Sequence, residues 1–222
     1  NVTHSAICER IGGMSLSLYD FGNVAVDPAN PAHFFISCFG TGLIEFLADG
    51  TAKHYRQTIS PLVSLVEGSD YYCRVDALTF DPEGNFWLTN TGPEATNIHV
   101  IDPSHKWHSF NLKQSGRRIE LNTVSKFLVD NRNASYKWIA SARANAGLIL
   151  HYDHDTPHIG SDDKAIMRSS FVDQDGKGVS IKRLNTIAQD YNGDLWLGTD
   201  EGIVVIKAET DTFTSDLCPR LK

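Results

Sequence analysis

The residues best suited to chemistry lie in a histidine-rich stretch at 151–158, which reads HYDHDTPH. Its three histidines surround Asp153 and Asp155, and imidazole and carboxylate groups are ligands that divalent metals accept. The spacing, at the end of a strand and in a loop, defines no tetrahedral ligand set. We therefore favour a solvated loop, with a metal site as the alternative, and interpret His105 and His108 in the same way.

No pattern in the sequence indicates a catalytic centre. The chain has no G-x-S-x-G element and no recognisable nucleophile–base pair. The four cysteines, which are Cys8, Cys38, Cys73 and Cys218, contain no CxxC pair, so the usual zinc and redox spacings are absent. Cys38 follows an apolar strand and is predicted to be a small buried residue, whereas Cys8 and Cys218 could pair if the chain ends meet. We predict a protein that is not an enzyme and that needs no cofactor.

Composition excludes two further classes of function. The 222 residues carry a formal net charge of −7 and no basic run, which argues against nucleic-acid binding. No apolar stretch reaches about 18 residues, so no membrane span is predicted. The chain begins Asn-Val-Thr-His, from which we expect either a removed leader or a piece of a longer protein.

The elements that position these side chains repeat four times. Each repeat is a short strand ending in Asp, a tight turn, a strand with a central aromatic residue, a second turn and a third strand. The fourth copy, at 184–206, reads LNTIAQDYNGDLWLGTDEGIVVI. The aromatic recurs every 51–58 residues, close to the period of propeller blades. The shared aromatics are Phe35, Trp87, Trp138 and Trp196, and the shared carboxylates are Asp27, Asp81, Asp130 and Asp190.

This pattern predicts an all-β fold, namely a β-propeller with about four blades visible. The predicted blades are 22–55, 75–112, 121–152 and 183–217, and residues 1–21 form a hairpin of an adjoining blade. Unequal blades and ragged ends indicate part of a larger ring of the seven-bladed type, so self-association of the isolated chain is expected. The repeated aspartates are predicted to accept turn N–H groups, and the repeated tryptophans, Trp196 included, to be buried between blades.

Two long connections, 56–74 and 153–182, are predicted to be surface loops on the face that also holds the loops between second and third strands. Arginines there could bind an anionic or sugar ligand through their fork of donors. The candidate ligand-binding residues are Arg74, Asn90, Glu94, Arg143, Asn145, Arg183, Asp200 and Glu201.

The segment from Asp190 to Ile203 resembles the two-component regulator propeller repeat. Four longer stretches, 23–37, 40–46, 74–81 and 84–90, resemble the PorZ-like propeller proteins of type IX secretion, and the likeness extends over about 23–218. This resemblance implies an exported scaffold in the periplasm or at the cell surface, with secretion proteins and lipopolysaccharide or a glycan as partners. The alternative is a periplasmic glycan-sensing domain of a hybrid two-component system. A propeller enzyme of the lactonase or lyase type is a third, less favoured reading.

Overall fold

The computed structural model describes residues 21–70, 72–92, 96–210 and 213. The predicted all-β propeller fold is confirmed, and the part described consists of antiparallel sheets arranged as successive blades. Three sheets have four strands and the last has three. Blade 1 comprises β1 (Phe21–Val26), β2 (Phe34–Cys38), β3 (Gly42–Phe46) and β4 (Ala52–Tyr55); blade 2 comprises β5 (Val75–Phe80), β6 (Phe86–Asn90), β7 (Ile98–Ile101) and β8 (Trp107–Phe110).

A small hairpin follows blade 2 and another follows blade 3. The first is β9 (Lys113–Gln114) with β10 (Arg117–Arg118), and the second is β15 (Ser170–Val172) with β16 (Gly178–Ser180). Blade 3 comprises β11 (Val124–Val129), β12 (Tyr136–Ser141), β13 (Gly147–Tyr152) and β14 (Lys164–Arg168); blade 4 comprises β17 (Leu184–Gln189), β18 (Leu195–Thr199) and β19 (Gly202–Ile206).

The four inner hairpins share one irregularity, which shows that they are copies of one unit. In each, the pairing register shifts near the start of the first strand. An extra residue at such a bulge bends the strand and increases its twist. The shifts lie at Phe21/Val24, Val75/Leu78, Val124/Lys126 and Leu184/Thr186.

The hydrophobic core is divided into three clusters, and each lies between adjacent blades. Phe35 of blade 1 stacks on Phe86 of blade 2, with ring centroids 3.8 Å apart. Trp87 of blade 2 packs with residues of blade 3, and Trp138 of blade 3 packs with blade 4. The inner strands also touch in chain order, β1 to β5, β5 to β11 and β11 to β17. Each second-strand aromatic therefore fills the space before the next blade.

Trp196 was predicted to be largely buried between adjacent blades, and it is partly buried, less completely than Trp87 and Trp138. By the pattern of the other blades, its ring faces the position of a following blade, and no such blade lies in the described part of the chain. Cys38 is fully buried, as predicted, and Cys73 is buried as well. The predicted hairpin at 1–21, most of the predicted last strand, Cys8 and Cys218 lie outside the described residues.

The segment 153–182 was predicted as a surface loop, and this is wrong for much of it. Blade 3 gains its fourth strand, β14, from this segment, so the blade extends beyond the predicted end at 152. The hairpin of β15 and β16 follows, and its Phe171 and Val179 are buried in the core between blades 3 and 4. Polar aspartates around the turns concealed these short strands in the sequence.

Successive turns of an antiparallel sheet lie at opposite ends, so each blade presents turns to two faces. We call the face with the turns between first and second strands and between third and fourth strands the turn face. The opposite face holds the turns between second and third strands and the connections between blades, and we call it the linker face. In the part of the chain that the structure describes, there is no helix long and apolar enough to cross a membrane.

Candidate functional site

The repeated aspartates on the turn face stabilise the hairpin of the first and second strands within each of blades 2, 3 and 4. The indole N–H donates to Asp81 Oδ2 from Trp87 (2.8 Å) and to Asp130 Oδ2 from Trp138 (3.0 Å). Trp196 makes the same bond to Asp190, at 3.1 Å. The other carboxylate oxygen accepts backbone N–H groups of the following turn, as in the bond from Asn85 N to Asp81 Oδ1 at 2.8 Å. The predicted structural role is therefore confirmed, and these carboxylates are not free for a ligand.

Blade 1 has no tryptophan, and His33 takes over the bond to the repeated aspartate. Its Nδ1 lies 2.9 Å from Asp27 Oδ2 and its Nε2 lies 2.9 Å from Oε1 of Glu45, which is fully buried. Burial opposes the charged imidazole, but hydrogen bonds to the two carboxylates outweigh it and raise the pKa of His33 above its ordinary value. The imidazole thus bridges two carboxylates within one sheet.

Clefts open on the turn face between successive blades, with volumes of about 300, 290 and 400 Å³. The middle cleft contains the buried Lys137, whose ammonium pairs with Asp153 and lies 4.3 Å from the centroid of the Trp87 ring. Asp81 and Asp155 also line this cleft. Lys137 is already paired with Asp153, and the other charged groups named here are carboxylates, so this cleft does not favour an anionic ligand.

Two of the predicted ligand-binding residues are used by the fold at the linker face. Asn90 is fully buried, and its amide bonds to the backbone of Val63 and Arg74. Arg74 donates from Nε to Asp76 Oδ1 (3.0 Å) and from Nη2 to Thr123 Oγ1 (2.7 Å). These bonds join blade 2 to the connection before it and to blade 3, so both side chains have a structural role.

Asp76 is the buried partner of Arg74. Burial raises the pKa of this carboxyl above its ordinary value, against the opposing effect of the Val124 amide and of Arg74. Its Oδ2 accepts bonds from Val124 N (3.0 Å) and Thr91 Oγ1 (3.1 Å). The linker face therefore has a structural polar network at the seam between blades 2 and 3.

The other predicted residues are exposed on the linker face. Arg143 and Asn145 belong to a tight turn in which Ala144 (φ 47°) and Asn145 (φ 99°) have positive φ. Arg183 and Asp200 lie side by side, since Asp200 Oδ1 accepts the Arg183 amide at 3.0 Å, and this bond holds the pKa of Asp200 below its ordinary value. Glu201 is also exposed, whereas Glu94 lies outside the described residues.

The sequence analysis missed a basic hairpin beside Asn145. Ser115 (φ 51°) and Gly116 (φ 78°) form the two-residue turn between β9 and β10, and the positive φ of the second position favours Gly. The turn presents Arg117 to solvent, and Arg118 donates to the carbonyl of Gly92 at 2.9 Å. The Ser-Gly pair followed by two arginines was the available sequence signal.

An open depression of about 330 Å³ connects this hairpin with the predicted site. Its lining includes Gln114, Arg117, Arg118, Glu120 and Asn145. Two guanidinium groups and one carboxylate leave it with a positive formal charge in a chain whose net charge is −7. Arg143, two residues before Asn145, lies in the same turn. This arrangement can hold a negatively charged or hydroxyl-rich group.

The histidine-rich stretch is divided between two environments, which the prediction of a solvated loop did not anticipate. His151 is fully buried on β13, and its Nε2 lies 2.8 Å from Asp163 Oδ2. His158 is exposed in the connection to β14. This connection lies on the turn face, because it joins a third strand to a fourth, so residues 153–163 do not reach the predicted ligand site.

Comparison with known proteins places the chain among propellers. Residues 178–201 match the family model of the two-component regulator propeller. The structure is similar to that of PorZ from Porphyromonas gingivalis, described as an essential bacterial surface component of the type-IX secretion system, with 27% identity and a TM-score of 0.77. The match covers 97% of this chain and 29% of that one. The PorZ-like resemblance predicted from the sequence is confirmed.

Two further structures show the same fold at lower similarity. The extracellular domain of BT3049, a hybrid two-component system of Bacteroides thetaiotaomicron, is 20% identical with a TM-score of 0.55, over 84% of this chain and 21% of that one. A gluconolactonase from Xanthomonas campestris is 14% identical with a TM-score of 0.53, over 85% and 59%. No curated protein matches the sequence significantly.

Proposed function

We propose that the chain is a non-enzymatic binding and scaffold portion of an exported PorZ-like protein that acts in type IX secretion, in the periplasm or at the cell surface. The observation that carries this proposal is the similarity to PorZ over 97% of the chain. The chain matches only 29% of the PorZ chain. The role in secretion and the protein partners are therefore part of the proposal. The gluconolactonase likeness, at 14% identity, concerns the fold and does not support catalysis.

The ligand surface in this proposal is the exposed arginine group of the linker face. It comprises Arg117, Arg143 and Arg183, with Asn145, Asp200 and Glu201 as polar neighbours. A guanidinium group binds phosphate, carboxylate or paired hydroxyls through two parallel N–H bonds. Lipopolysaccharide, which offers phosphate and sugar hydroxyl groups, is the ligand class that fits this surface. Arg74 and Asn90 are not part of this surface, because their side chains bond to neighbouring parts of the fold.

The test replaces Arg117, Arg143 and Arg183 singly with Ala and measures binding to purified lipopolysaccharide and to a glycan panel. Loss of one charge-assisted contact should weaken binding by about tenfold. Lys106→Ala is the matched control, because it removes one exposed charge from the turn face. Parental binding in all three arginine variants would overturn this surface as the site.

A second candidate function is that of a periplasmic glycan-sensing domain in a hybrid two-component system. The regulator repeat at 178–201 and the similarity to BT3049 favour it. The full-length gene distinguishes the two candidates. A sorting domain after the last blade supports the secretion scaffold, whereas a transmembrane helix followed by a kinase supports the sensor.

A further inference from the structure

Three side chains with metal-binding groups meet where blades 2 and 3 adjoin on the turn face. Asp102 directly follows β7, His108 lies on β8, and His158 belongs to the connection from β13 to β14. One ligand atom of each lies within 4.8 Å of the other two. His108 Nε2 is 3.0 Å from Asp102 Oδ2, and the rings of His108 and His158 have centroids 4.4 Å apart.

The carboxylate of this group is oriented by its own turn. Asp102 Oδ1 accepts the N–H groups of Ser104 (2.8 Å) and Lys106 (3.0 Å) and also the Ser104 hydroxyl (2.5 Å). Oδ2 is therefore left facing His108.

The connection that carries His158 is fastened to blade 2. Gly160 lies so close to Phe110 that even a methyl group at this position would collide with the ring. Phe110 is two residues from His108 on β8. At the far end of the connection, Asp163 bonds to the buried His151 at 2.8 Å. His158 is thus brought to His108 by the packing of the fold.

We propose that Asp102, His108 and His158 form a Zn²⁺ site that joins blade 2 to blade 3. Zinc binds imidazole nitrogen and carboxylate oxygen at about 2.0–2.2 Å in tetrahedral geometry, which sets ligand atoms about 3.3 Å apart. The 3.0 Å separation of His108 Nε2 and Asp102 Oδ2 is close to that spacing. Two nitrogens with one oxygen also suit zinc better than Mg²⁺ or Ca²⁺, which take oxygen ligands.

The exposure of His158 leaves the fourth coordination position open to water. The ion would replace the hydrogen bond between His108 and Asp102 by two metal–ligand bonds. It would also add a third bond to the connection of the next blade. This site lies on the opposite face from the proposed ligand surface, and its occupation does not depend on the proposed function.

The experiment is a calorimetric titration of the chain with ZnCl₂ at pH 7.5, repeated for Asp102→Asn, His108→Ala and His158→Ala. We expect one zinc bound with these ligands, and at least tenfold weaker binding in each variant. His105→Asn is the matched control, because His105 lies in the same turn outside the ligand set and its positive φ (63°) is one that Asn tolerates. This control should bind zinc like the parent.

Thermal unfolding gives a second measurement. Zinc, but not Mg²⁺, should raise the unfolding midpoint of the parent and of His105→Asn, and should raise that of His158→Ala much less. His158 is exposed, so its replacement leaves the fold intact and this variant decides the matter even if the other two unfold. Absence of zinc binding by the parent, or parental binding by His158→Ala, would overturn the proposal.

Discussion

At the scale of single residues, polar side chains near the turns have two different roles in this protein: some bond within the fold and others are exposed. The aspartates that end the first strands accept turn amides and indole N–H groups, and in blade 1 His33 supplies the corresponding bond. The exposed arginines of the linker face are outside this arrangement. A polar residue near a turn is therefore a ligand candidate only when its bonds to the fold are known.

The raised pKa of His33 predicts a pH-dependent contribution to stability. The charged imidazole is stabilised by Asp27 and Glu45 in the folded state, so the contribution is complete below the ordinary pKa of about 6.5. It is lost as the pH rises through the higher folded-state pKa. We expect His33→Gln to lower the unfolding midpoint more at pH 5.5 than at pH 8.5. The comparison is made by thermal unfolding of both proteins in matched buffers, and an equal deficit at the two pH values would contradict the role of charge.

At the scale of elements, the central aromatic of each second strand connects one blade to the next. Phe35, Trp87 and Trp138 are buried because the following blade covers them, whereas Trp196 is half-buried in blade 4. The repeated hydrogen bond to Asp orients the indole in the same way in blades 2, 3 and 4. Trp87, Trp138 and Trp196 therefore share the hydrogen bond and differ in how completely the ring is buried.

This difference predicts unequal costs of truncation. Trp87→Ala should lower the free energy of unfolding by about 3–5 kcal/mol, because it leaves a cavity in the core between blades 2 and 3. Trp196→Ala should lower the free energy of unfolding by less than this, since its ring is less completely buried. Urea unfolding of the parent and the two variants measures both values. Equal losses would show that Trp196 is as well covered as Trp87.

At the scale of the whole molecule, the four described blades form an open arc. The first strands of successive blades contact one another in chain order, β1 with β5, β5 with β11 and β11 with β17. Among the described strands, those of blade 1 make no substantial contact with those of blade 4. The first and last of these blades have exposed apolar residues, which are Val24 (60% exposed) and Val26 (51%) in blade 1 and Ile203 (47%) in blade 4. Such surfaces are normally covered by neighbouring blades in a propeller.

We therefore predict that the isolated chain self-associates. Sedimentation velocity should show dimers or larger species whose fraction rises with concentration, and Ile203→Glu should reduce that fraction by placing a charge at the edge of the arc. Lys113→Glu, a change of charge at an exposed residue of β9 between blades 2 and 3, is the control because it lies away from both ends of the arc. A compact monomer with the four blades sealed in a ring would contradict the prediction.

The propeller fold and its repeat could be predicted from the sequence alone, because both depend on residues close together in the chain. Strand alternation, the Asp at the end of the first strand and the aromatic centre of the second are local signals. They located the repeated positions from Phe35 to Trp196 and indicated the resemblance to PorZ-like proteins. Local signals were too weak for β14 and for the hairpins, which are short and polar.

Which candidate side chains bond to other parts of the fold could be seen only in the three-dimensional structure. Arg74 and Asn90 bond to backbone and side chains of neighbouring connections, and Arg117 is presented by a hairpin that the sequence did not reveal. His108 and His158 are fifty residues apart and meet because blades 2 and 3 adjoin. The physical reason is that such contacts depend on the packing of one blade against the next, which no local pattern of residues encodes.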